Sequence, residues 1–333
     1  MTVEKWGEFE GEPVGRVVLD NGKGLRAAVL GWGGVLQSLT LDVDGRPRAL
    51  VLGFDSFPDY PAKSPYFGAT VGRFGNRIGH AAFTLDGVRH EVDANQGGVN
   101  HLHGGARGWG KRLWRMTPAS DGRSVTLELT SPAGEMGYPG KVEARCVYRL
   151  TDDSLDIQMT ATTDAPTPIN MVHHTYWNLD GQGSIEAHRL RLAADGYLPT
   201  GEGQIPTGEI RAVAGTEFDF RESRRIDAKG AADYDHCFVV NGTGLRPVAD
   251  LVASDGRVRM TLEADQPGVQ FYTGFKMDIT ASDGTHIGPR AGLCLETECF
   301  PDAPNKPEFP SSILRPGETY RHRMVHRFAV AGA

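Results

Sequence analysis

Polar side chains that a fold does not need for its stability concentrate in four stretches of this chain. They carry imidazole, guanidinium, amide and carboxylate groups, which proteins use to move protons and to bind hydroxyl or carbonyl-like oxygens. The stretches are GRFGNRIG (72–79), NHLHGG (100–105), NMVHHTYWNL (170–179) and LCLETECFPDAPNKPEFP (293–310), with DYDHCF (233–238) and GVQFYTG (268–274) as weaker additions. The chemistry that they support depends on which side chains face one another.

Two adjacent histidines, His173 and His174, lie in a run that is otherwise typical of a β-strand. Successive side chains of a strand point to opposite faces, so the two rings cannot both reach one small ligand. His174 would share its face with Tyr176, and His173 would lie on the other face with Trp177. At most one ring is therefore available for chemistry, and a hydrogen-bonded core or surface histidine is the alternative for either.

A second pair, His101 and His103, has the spacing of side chains that share a face in an extended chain. His-x-His followed by glycine resembles metal sites in some β-barrels, such as those of cupins, but such a site needs further histidine or carboxylate ligands. No acidic residue occurs in the following GGARGWGKR. We therefore predict no metal here, and a tight turn or close backbone approach at Gly104 and Gly105.

The alternating stretch LCLETE predicts a strand with Glu296 and Glu298 on one face and Leu293 and Leu295 on the other. Desolvation in such an apolar strand raises the pKa of a carboxyl group unless a cation compensates. Burial with a partner such as Arg77 would tune Glu296 as a base, whereas an exposed edge strand would leave it without that role. Position alone leaves both alternatives open.

Asn76 and Arg77 form a donor-rich pair that suits sugar hydroxyls or a carbonyl-like oxygen, although a surface charge or a structural ion pair would also account for Arg77. Phosphate binding by a glycine-rich loop does not apply to GRFGNRIG, because no helix is predicted after it. The chain contains no nucleophile elbow, Walker loop or His-Glu-x-x-His motif.

The elements that must position these groups are predicted to be strands. Asp-Gly supplies the positive φ angles of a two-residue hairpin turn, and most copies here are flanked by alternating or apolar runs. Helical periodicity is nearly absent, and no repeat or linker-like segment interrupts the pattern. We therefore expect one all-β domain over residues 1–333, an antiparallel sandwich or barrel with few and short helices. The Asp-Gly pairs are Asp44-Gly45, Asp86-Gly87, Asp121-Gly122, Asp255-Gly256 and Asp283-Gly284.

Composition excludes several classes of partner. The 333 residues are 39% hydrophobic and 23% charged, with a net charge of −7 and an isoelectric point near 5.9, so no basic field attracts nucleic acid or an anionic membrane. The N-terminus MTVEKWGEFEGEPVG lacks the pattern of a signal peptide, and no apolar run is long enough to span a membrane. We expect a cytoplasmic protein, as a monomer or a homodimer.

The four cysteines are predicted to be buried and reduced. None belongs to a C-x-x-C pair, and a disulfide would need an oxidising compartment. They are Cys146, Cys237, Cys294 and Cys299.

Taken together, these stretches resemble the aldose 1-epimerase, or mutarotase, family. GRFGNRI, followed by FTLDGVRHEV and NHLHGG, is similar to the family's segment around Asn-Arg-Ile, and HHTYWNL is similar to its Asn-His-Ser-Tyr-Phe-Asn-Leu strand. DYDHCF, GVQFYTG and CLETECFPDAPNKPEFPSSILRPGETY follow in the family's order. The resemblance extends from the N-terminal strands through VLGFDSFPDY to the end of the chain.

The resemblance implies an antiparallel β-supersandwich and a cofactor-free reaction that interconverts the α and β anomers of free sugars. It implies that Glu296 is the general base and His174 the general acid. The sugar would be held by further residues, with Asn76 assisting. The implied sugar-binding residues are Arg77, His103, Asp235 and Gln270.

Two positions depart from the family pattern. His173 stands where Asn is usual, and Trp177 stands where Phe is usual. By strand alternation both lie on the face away from His174, so we expect them to affect packing more than chemistry. The segment after GVQFYTG also lacks the more common Asn.

Three other functions compete with this interpretation. A glycoside hydrolase would need two carboxyl groups beside a glycosidic oxygen, for which Glu298 and Asp235 are candidates. A hexose-6-phosphate epimerase would need a cationic clamp for the phosphate, and the basic segments RESRRID and GKRLWR are not placed at the site by sequence. A sugar-binding module without activity would not need both His174 and Glu296.

Overall fold

The computed structural model describes residues 2–227, Gly230 and 233–331. Within them the chain is almost entirely β, as predicted, with one short α-helix, Asp59–Lys63, and five single 3₁₀ turns. The 3₁₀ turns are Gly79–Ala81, Trp109–Lys111, Glu135–Gly137, Glu202–Gln204 and Ala303–Asn305. None of the described helices has the length and apolar character needed to cross a membrane.

Thirty strands are described, and they are numbered here in chain order. They are β1 Glu4–Phe9, β2 Glu12–Asp20, β3 Leu25–Leu30, β4 Leu36–Val43, β5 Arg46–Ala49, β6 Ala69–Val71, β7 Arg77–Ile78, β8 Ala82–Leu85, β9 Val88–Glu91, β10 His101–Leu102, β11 Arg115–Pro118, β12 Ser124–Ser131, β13 Val142–Leu150, β14 Ser154–Thr163, β15 Thr167–Pro168, β16 Val172–His174, β17 Tyr176–Trp177, β18 Arg189–Leu192, β19 Ala194–Tyr197, β20 Arg211–Ala212, β21 Arg224–Arg225, β22 Asp235–Val240, β23 Arg246–Val252, β24 Val258–Ala264, β25 Gly268–Tyr272, β26 Ile279–Thr280, β27 His286–Ile287, β28 Leu293–Glu298, β29 Ile313–Leu314 and β30 Tyr320–Val330.

Three sheets make up most of the structure. A nine-stranded sheet has the order β11-β12-β13-β14-β30-β24-β23-β18-β21, a six-stranded sheet the order β17-β28-β25-β22-β19-β20, and a five-stranded sheet runs from β1 to β5 in sequence order. One large buried cluster takes apolar side chains from all three sheets, for example Met260, Leu293 and Val29. Sheets with one apolar face each bury it in this way by packing on one another. That residues 1–333 form one domain stays a prediction, which this shared core supports.

The strands form where the sequence alternates between apolar and polar residues. In β13 the residues VEARCVYRL alternate regularly between buried and more exposed positions, as expected of a strand with one face on a core. All five Asp-Gly pairs lie in hairpin connections. At Asp44-Gly45 and Asp86-Gly87 both residues have positive φ angles and the flanking strands pair directly, so these two are two-residue turns.

The other three Asp-Gly pairs lie in longer loops, contrary to the two-residue turns that the pairs indicate. There the glycine has a positive φ angle and the aspartate does not, and the closing strand pairs are set further back. The sequence pattern also missed a two-residue turn at Glu10-Gly11, where both φ angles are positive and Phe9 pairs with Glu12.

The register of the six-stranded sheet gathers polar side chains on one face. Glu296 of β28 lies opposite Gln270 of β25, and Gln270 lies opposite Cys237 of β22. Directly paired residues share a face, and so do residues two apart on one strand. Asp235 and Glu298 therefore lie on the same face as Glu296 and Gln270.

Candidate active site

Three titratable side chains from distant parts of the chain converge on that face. His103 follows β10, His174 ends β16 and Glu296 lies in β28. All three are buried, and one nitrogen or oxygen atom of each lies within 4.8 Å of the others. His174 Nε2 is 3.6 Å from Glu296 Oε1. Two of the three are the predicted acid and base, and the third is a predicted sugar-binding residue.

Glu296 is buried in β28, the second strand of the six-stranded sheet, which lies between β17 and β25, so the alternative of an exposed edge strand is wrong. Arg77 hydrogen-bonds to Gln96, Asn76 and Gln204 rather than to Glu296, and the titratable side chain in contact with Glu296 is His174. Burial, reinforced by Glu298 and Asp235, raises the pKa of Glu296 well above its usual range, and Arg77 opposes this. Glu296 Oε2 is buried without a hydrogen-bond partner in the described part of the chain.

His174 is held between aromatic rings. Tyr66 and Tyr176 stack on it with ring centroids 5.8 and 5.1 Å away, and its Nδ1 lies 3.5 Å from Cys294 Sγ. This arrangement directs Nε2 toward Glu296. Burial lowers the pKa of His174 to about 4, which Arg77 also favours, although Asp235 and the backbone oppose it.

His173 lies on the opposite face of the strand, as predicted. Its Nε2 is 2.9 Å from the Tyr148 hydroxyl and its Nδ1 is 2.8 Å from Thr175 Oγ1. Trp177, the other departure, packs away from the site against His326, with ring centroids 4.7 Å apart. The alternation of the strand therefore places His174 toward Glu296 and His173 and Trp177 away from it. That these two residues affect packing more than chemistry stays a prediction.

The environment of His103 determines which ring nitrogen carries its proton. The backbone N–H of Asn76 donates to His103 Nδ1 at 3.1 Å. Burial lowers the pKa of His103 well below its usual range, and the neighbouring His174 and Arg77 contribute, so the ring is neutral near pH 7. Because Nδ1 accepts a hydrogen bond, the proton lies on Nε2, and His103 presents a hydrogen-bond donor to the site.

His101 does not join this site. Its Nδ1 lies 2.7 Å from the carbonyl oxygen of Asp93 and its Nε2 lies 2.7 Å from the Tyr138 hydroxyl. The spacing that allowed His101 and His103 to share a face misleads here because His103 has a φ angle of 50°, so the chain is not extended at that point. His101 is a hydrogen-bonded core residue.

The cluster of His103, His174 and Glu296 has the composition of a metal-ligand set, but its hydrogen bonds fit a metal poorly. A ligating nitrogen must offer its lone pair. For His103 Nε2 to do so, the proton would move to Nδ1, where it would face the Asn76 N–H that now donates to Nδ1. That the site uses no metal stays a prediction, and this tautomer supports it.

The predicted sugar-binding residues Arg77, Asp235 and Gln270 form a second, adjoining cluster. Gln270 Nε2 donates to Asp235 Oδ1 at 2.7 Å, and Arg77 Nη2 lies 3.9 Å from Asp235 Oδ2. The side chains of Arg77 and Asp235 retain 11% and 14% of their exposure, so both remain accessible at the edge of the buried acid–base pair. Together these residues present donors and acceptors suited to hydroxyl groups.

Asn76 lies behind this cluster and links it to Glu298. Its Oδ1 accepts from Arg77 Nη1 at 3.1 Å, and its Nδ2 donates to Glu298 Oε1 at 2.9 Å. Asn170 Nδ2 lies 3.5 Å from the other oxygen of Glu298. Asn76 therefore orients Arg77 and, through its backbone, His103.

Sequence reasoning missed three residues of the site. Tyr66 stacks on His174 and lies against His103, Gln96 Oε1 accepts from Arg77 Nε at 3.2 Å, and Gln204 contacts both Arg77 and Asp235. All three lie in irregular or turn segments, where side-chain direction does not follow a sequence period. The sequence signals for these turns are Pro65 beside Tyr66, Gly97 beside Gln96 and Gly203 beside Gln204.

Comparisons with known proteins agree with this site and fold. The model of the aldose 1-epimerase family matches residues 15–327. The chain is 41% identical over 318 residues to galactose mutarotase of Bos taurus, with 92% of each chain covered. It is 38% identical over 335 residues to aldose 1-epimerase of Escherichia coli K12, with 96% of each chain covered.

Solved structures show the same architecture. An aldose epimerase homologue from C. elegans superposes with a TM-score of 0.90 at 30% identity, covering 95% of this chain and 99% of its own. Galactose 1-epimerase from Lactobacillus acidophilus gives a TM-score of 0.87 at 28% identity, covering 99% and 98%. The predicted mutarotase-like supersandwich is thereby confirmed, and the chain belongs to the aldose 1-epimerase family.

Proposed function

We propose that this protein is an aldose 1-epimerase, or mutarotase, which interconverts the α and β anomers of free aldoses such as galactose or glucose. The observation that carries the proposal is the buried pair of His174 and Glu296, 3.6 Å apart, with Glu296 Oε2 lacking a partner among the described residues. An unsatisfied buried acceptor is costly unless a ligand supplies the donor. A sugar hydroxyl is such a donor.

Anomer exchange needs one proton removed and one delivered. Glu296 would take the proton of the C1 hydroxyl while His174 Nε2 delivers a proton to the ring oxygen, and the bond between C1 and the ring oxygen breaks to give the open aldehyde. Rotation about C1–C2 presents the other face of the carbonyl. The same two groups then return the protons and close the ring, so the enzyme ends in its starting state.

The two pKa shifts describe how this pair holds its proton. The raised pKa of Glu296 and the lowered pKa of His174 both shift the shared proton toward Glu296, whereas the ring-opening step starts from the form with that proton on His174. The two forms, neutral carboxyl with imidazole and carboxylate with imidazolium, contain the same number of protons. Opening and closing the ring therefore moves one proton between the two groups through the sugar, and the total charge of the buried site stays constant.

The other predicted residues would bind the sugar and stabilise developing charge. His103 presents its Nε2 proton beside the reacting pair, where it would donate to an oxygen that becomes negative. Arg77, Asp235 and Gln270 would hydrogen-bond hydroxyls on the far side. Asn76 would act on Arg77 and His103 rather than on the sugar.

Features of the structure argue against each of the three competing functions. Glu298, the second carboxyl group that a glycoside hydrolase would need, is fully buried and engaged by two asparagine amides, so it is not placed to protonate a leaving group. A binding module without activity would not need an acid and a base in contact. For a hexose phosphate, Arg77 is a poor clamp, because Asp235 lies 3.9 Å from it.

Polarimetry tests the proposal. The rate at which the optical rotation of freshly dissolved α-sugar approaches equilibrium should rise with enzyme for a panel of free aldoses, and less for a hexose 6-phosphate. Glu296→Gln keeps the shape of the side chain and removes its basicity, so kcat should fall by ~10²–10⁴. A wild-type protein that releases reducing sugar from glycosides, or accelerates none of the panel, would contradict the proposal.

The cytoplasmic location and a monomeric or homodimeric state stay predictions. So does the expectation that the protein binds a monosaccharide and neither nucleic acid nor membrane.

A further inference from the structure

Arg77 and Asp235 carry opposite charges at the edge of the site but do not form a direct hydrogen bond. Arg77 Nη2 and Asp235 Oδ2 are 3.9 Å apart, and both side chains are largely buried. A guanidinium and a carboxylate in contact usually approach to about 2.7–2.9 Å and often pair through two hydrogen bonds. Some feature of the structure must therefore keep this pair apart.

The side-chain amide of Gln204 bridges the two charged groups. Arg77 Nη2 donates to Gln204 Oε1 at 2.7 Å, and Gln204 Nε2 donates to Asp235 Oδ2 at 2.5 Å. The two charged atoms that lie 3.9 Å apart are thus each bonded to the same amide. An amide suits this position because it offers an acceptor to the cation and a donor to the anion.

The turn that carries Gln204 is built to hold it there. Gln204 ends the 3₁₀ turn Glu202–Gln204 with a φ angle of 61°, a conformation that non-glycine residues rarely adopt. A Cβ on the preceding Gly203 would lie 2.3 Å from Asn100 Nδ2, so the turn packs closely against the loop before β10. Residues 201–203 are exposed, whereas Gln204 is half-buried and directed inward.

The remaining partners of the charged pair are also neutral amides. Arg77 Nε donates to Gln96 and Arg77 Nη1 donates to Asn76, while Gln270 donates to the other oxygen of Asp235. A guanidinium has five N–H groups, and the bonds to Gln96, Asn76 and Gln204 use three of them. Arg77 therefore keeps N–H groups, and Asp235 keeps lone pairs, for a ligand.

We propose that Gln204 is a positioning residue for sugar binding: its amide keeps Arg77 and Asp235 apart, so that each can hydrogen-bond a sugar hydroxyl instead of the other. The inference rests on the proposed function, because it assigns Arg77 and Asp235 to the sugar. Without Gln204 the two charges would close to a direct ion pair, and an incoming sugar would first have to break it.

The test is the effect of Gln204→Ala on KM and kcat, measured by polarimetry with a free aldose that the wild type accepts. KM should rise on the order of 10-fold, the factor that corresponds to one hydrogen bond to a charged group. Because the variant leaves His174 and Glu296 in place, kcat should stay within about 2-fold. Gln204→Glu keeps the length and the acceptor but loses the donor to Asp235, so its KM should rise at least as far.

Two control variants separate this role from general damage to the loop. Glu202→Ala changes an exposed residue of the same turn and should leave both constants unchanged. Gln96→Ala removes another amide from Arg77 but leaves the bridge of Gln204 to both charged groups, so KM should rise less than in Gln204→Ala. Thermal unfolding of each variant reports on folding.

A KM that is unchanged or lower in Gln204→Ala would overturn the proposal, and a lower KM would mean that the amide competes with the sugar. A loss confined to kcat would also overturn it. If Gln204→Ala does not fold, Gln204→Glu decides by the same criteria. Failure of the proposed function can be distinguished from failure of the Gln204 proposal. If the proposed function is wrong, the wild type accelerates the mutarotation of no free aldose. If only the Gln204 proposal is wrong, the wild type is active and the KM of Gln204→Ala does not rise.

Discussion

The two adjacent histidines allow a direct comparison, because both are buried and the same replacement by asparagine can be made at each. His174→Asn removes the imidazole nitrogen that lies 3.6 Å from Glu296 Oε1. The sugar contacts assigned to Arg77 and Asp235 remain, so KM should change little. We expect kcat to fall by ~10²–10⁴, the usual contribution of a positioned proton donor.

His173→Asn should instead affect stability. The asparagine amide can replace the ring nitrogen that contacts Thr175 at 2.8 Å, but it is too short to replace Nε2, which contacts the Tyr148 hydroxyl at 2.9 Å. Losing a buried hydrogen bond and leaving a small cavity costs about 1–3 kcal/mol. For a chain of this size that lowers Tm by roughly 1–4 °C, while kcat should stay within a few-fold of the wild type.

Polarimetry for kcat and thermal unfolding for Tm, applied to both variants, give the comparison. We expect His174→Asn to lose activity and keep most of its stability, and His173→Asn to lose stability and keep most of its activity. If His173→Asn lowers kcat as much as His174→Asn while remaining folded, the assignment of the acid to one strand face is wrong.

Three further predictions concern the surroundings of the site. Burial raises the pKa of Glu298 from 4.5 to about 8, so the folded state binds the proton of Glu298 more tightly than the unfolded state does. This proton therefore contributes fully to stability below about pH 4.5, and the contribution is lost as pH rises through 8. The unfolding free energy of wild type relative to Glu298→Gln, from urea titrations, should therefore decrease between about pH 5 and pH 8, and a constant difference would contradict this. Activity should survive EDTA, and elemental analysis should find no stoichiometric zinc, manganese or iron; a loss restored by one metal would count against the His103 tautomer. Thiol titration of the denatured protein without reductant should find all four cysteines, which are free and buried here, and any shortfall would indicate a disulfide.

Features that depend on short-range sequence patterns were predictable. The period of two in a strand is enough to separate His173 from His174 and to place Glu296 with Glu298, because a strand's side chains alternate whatever the fold around it. Asp-Gly marks a hairpin for a similar reason, since the turn needs backbone angles that these residues tolerate. Hence the all-β class and the split between the two histidines were correct.

Features that depend on long-range contacts could not be predicted from the sequence. His174 and Glu296, 3.6 Å apart, come from segments more than 100 residues apart in the chain. So do Arg77 and Asp235, which are separated by 3.9 Å. No local period of the sequence encodes such distances. The same holds for His103, whose proton is placed by a backbone N–H 27 residues away, and for Gln204, which lies in a glycine-rich turn without a pattern. Burial, tautomer and spacing are properties of the packed sheets, because only packing removes water and sets which groups from separate strands meet.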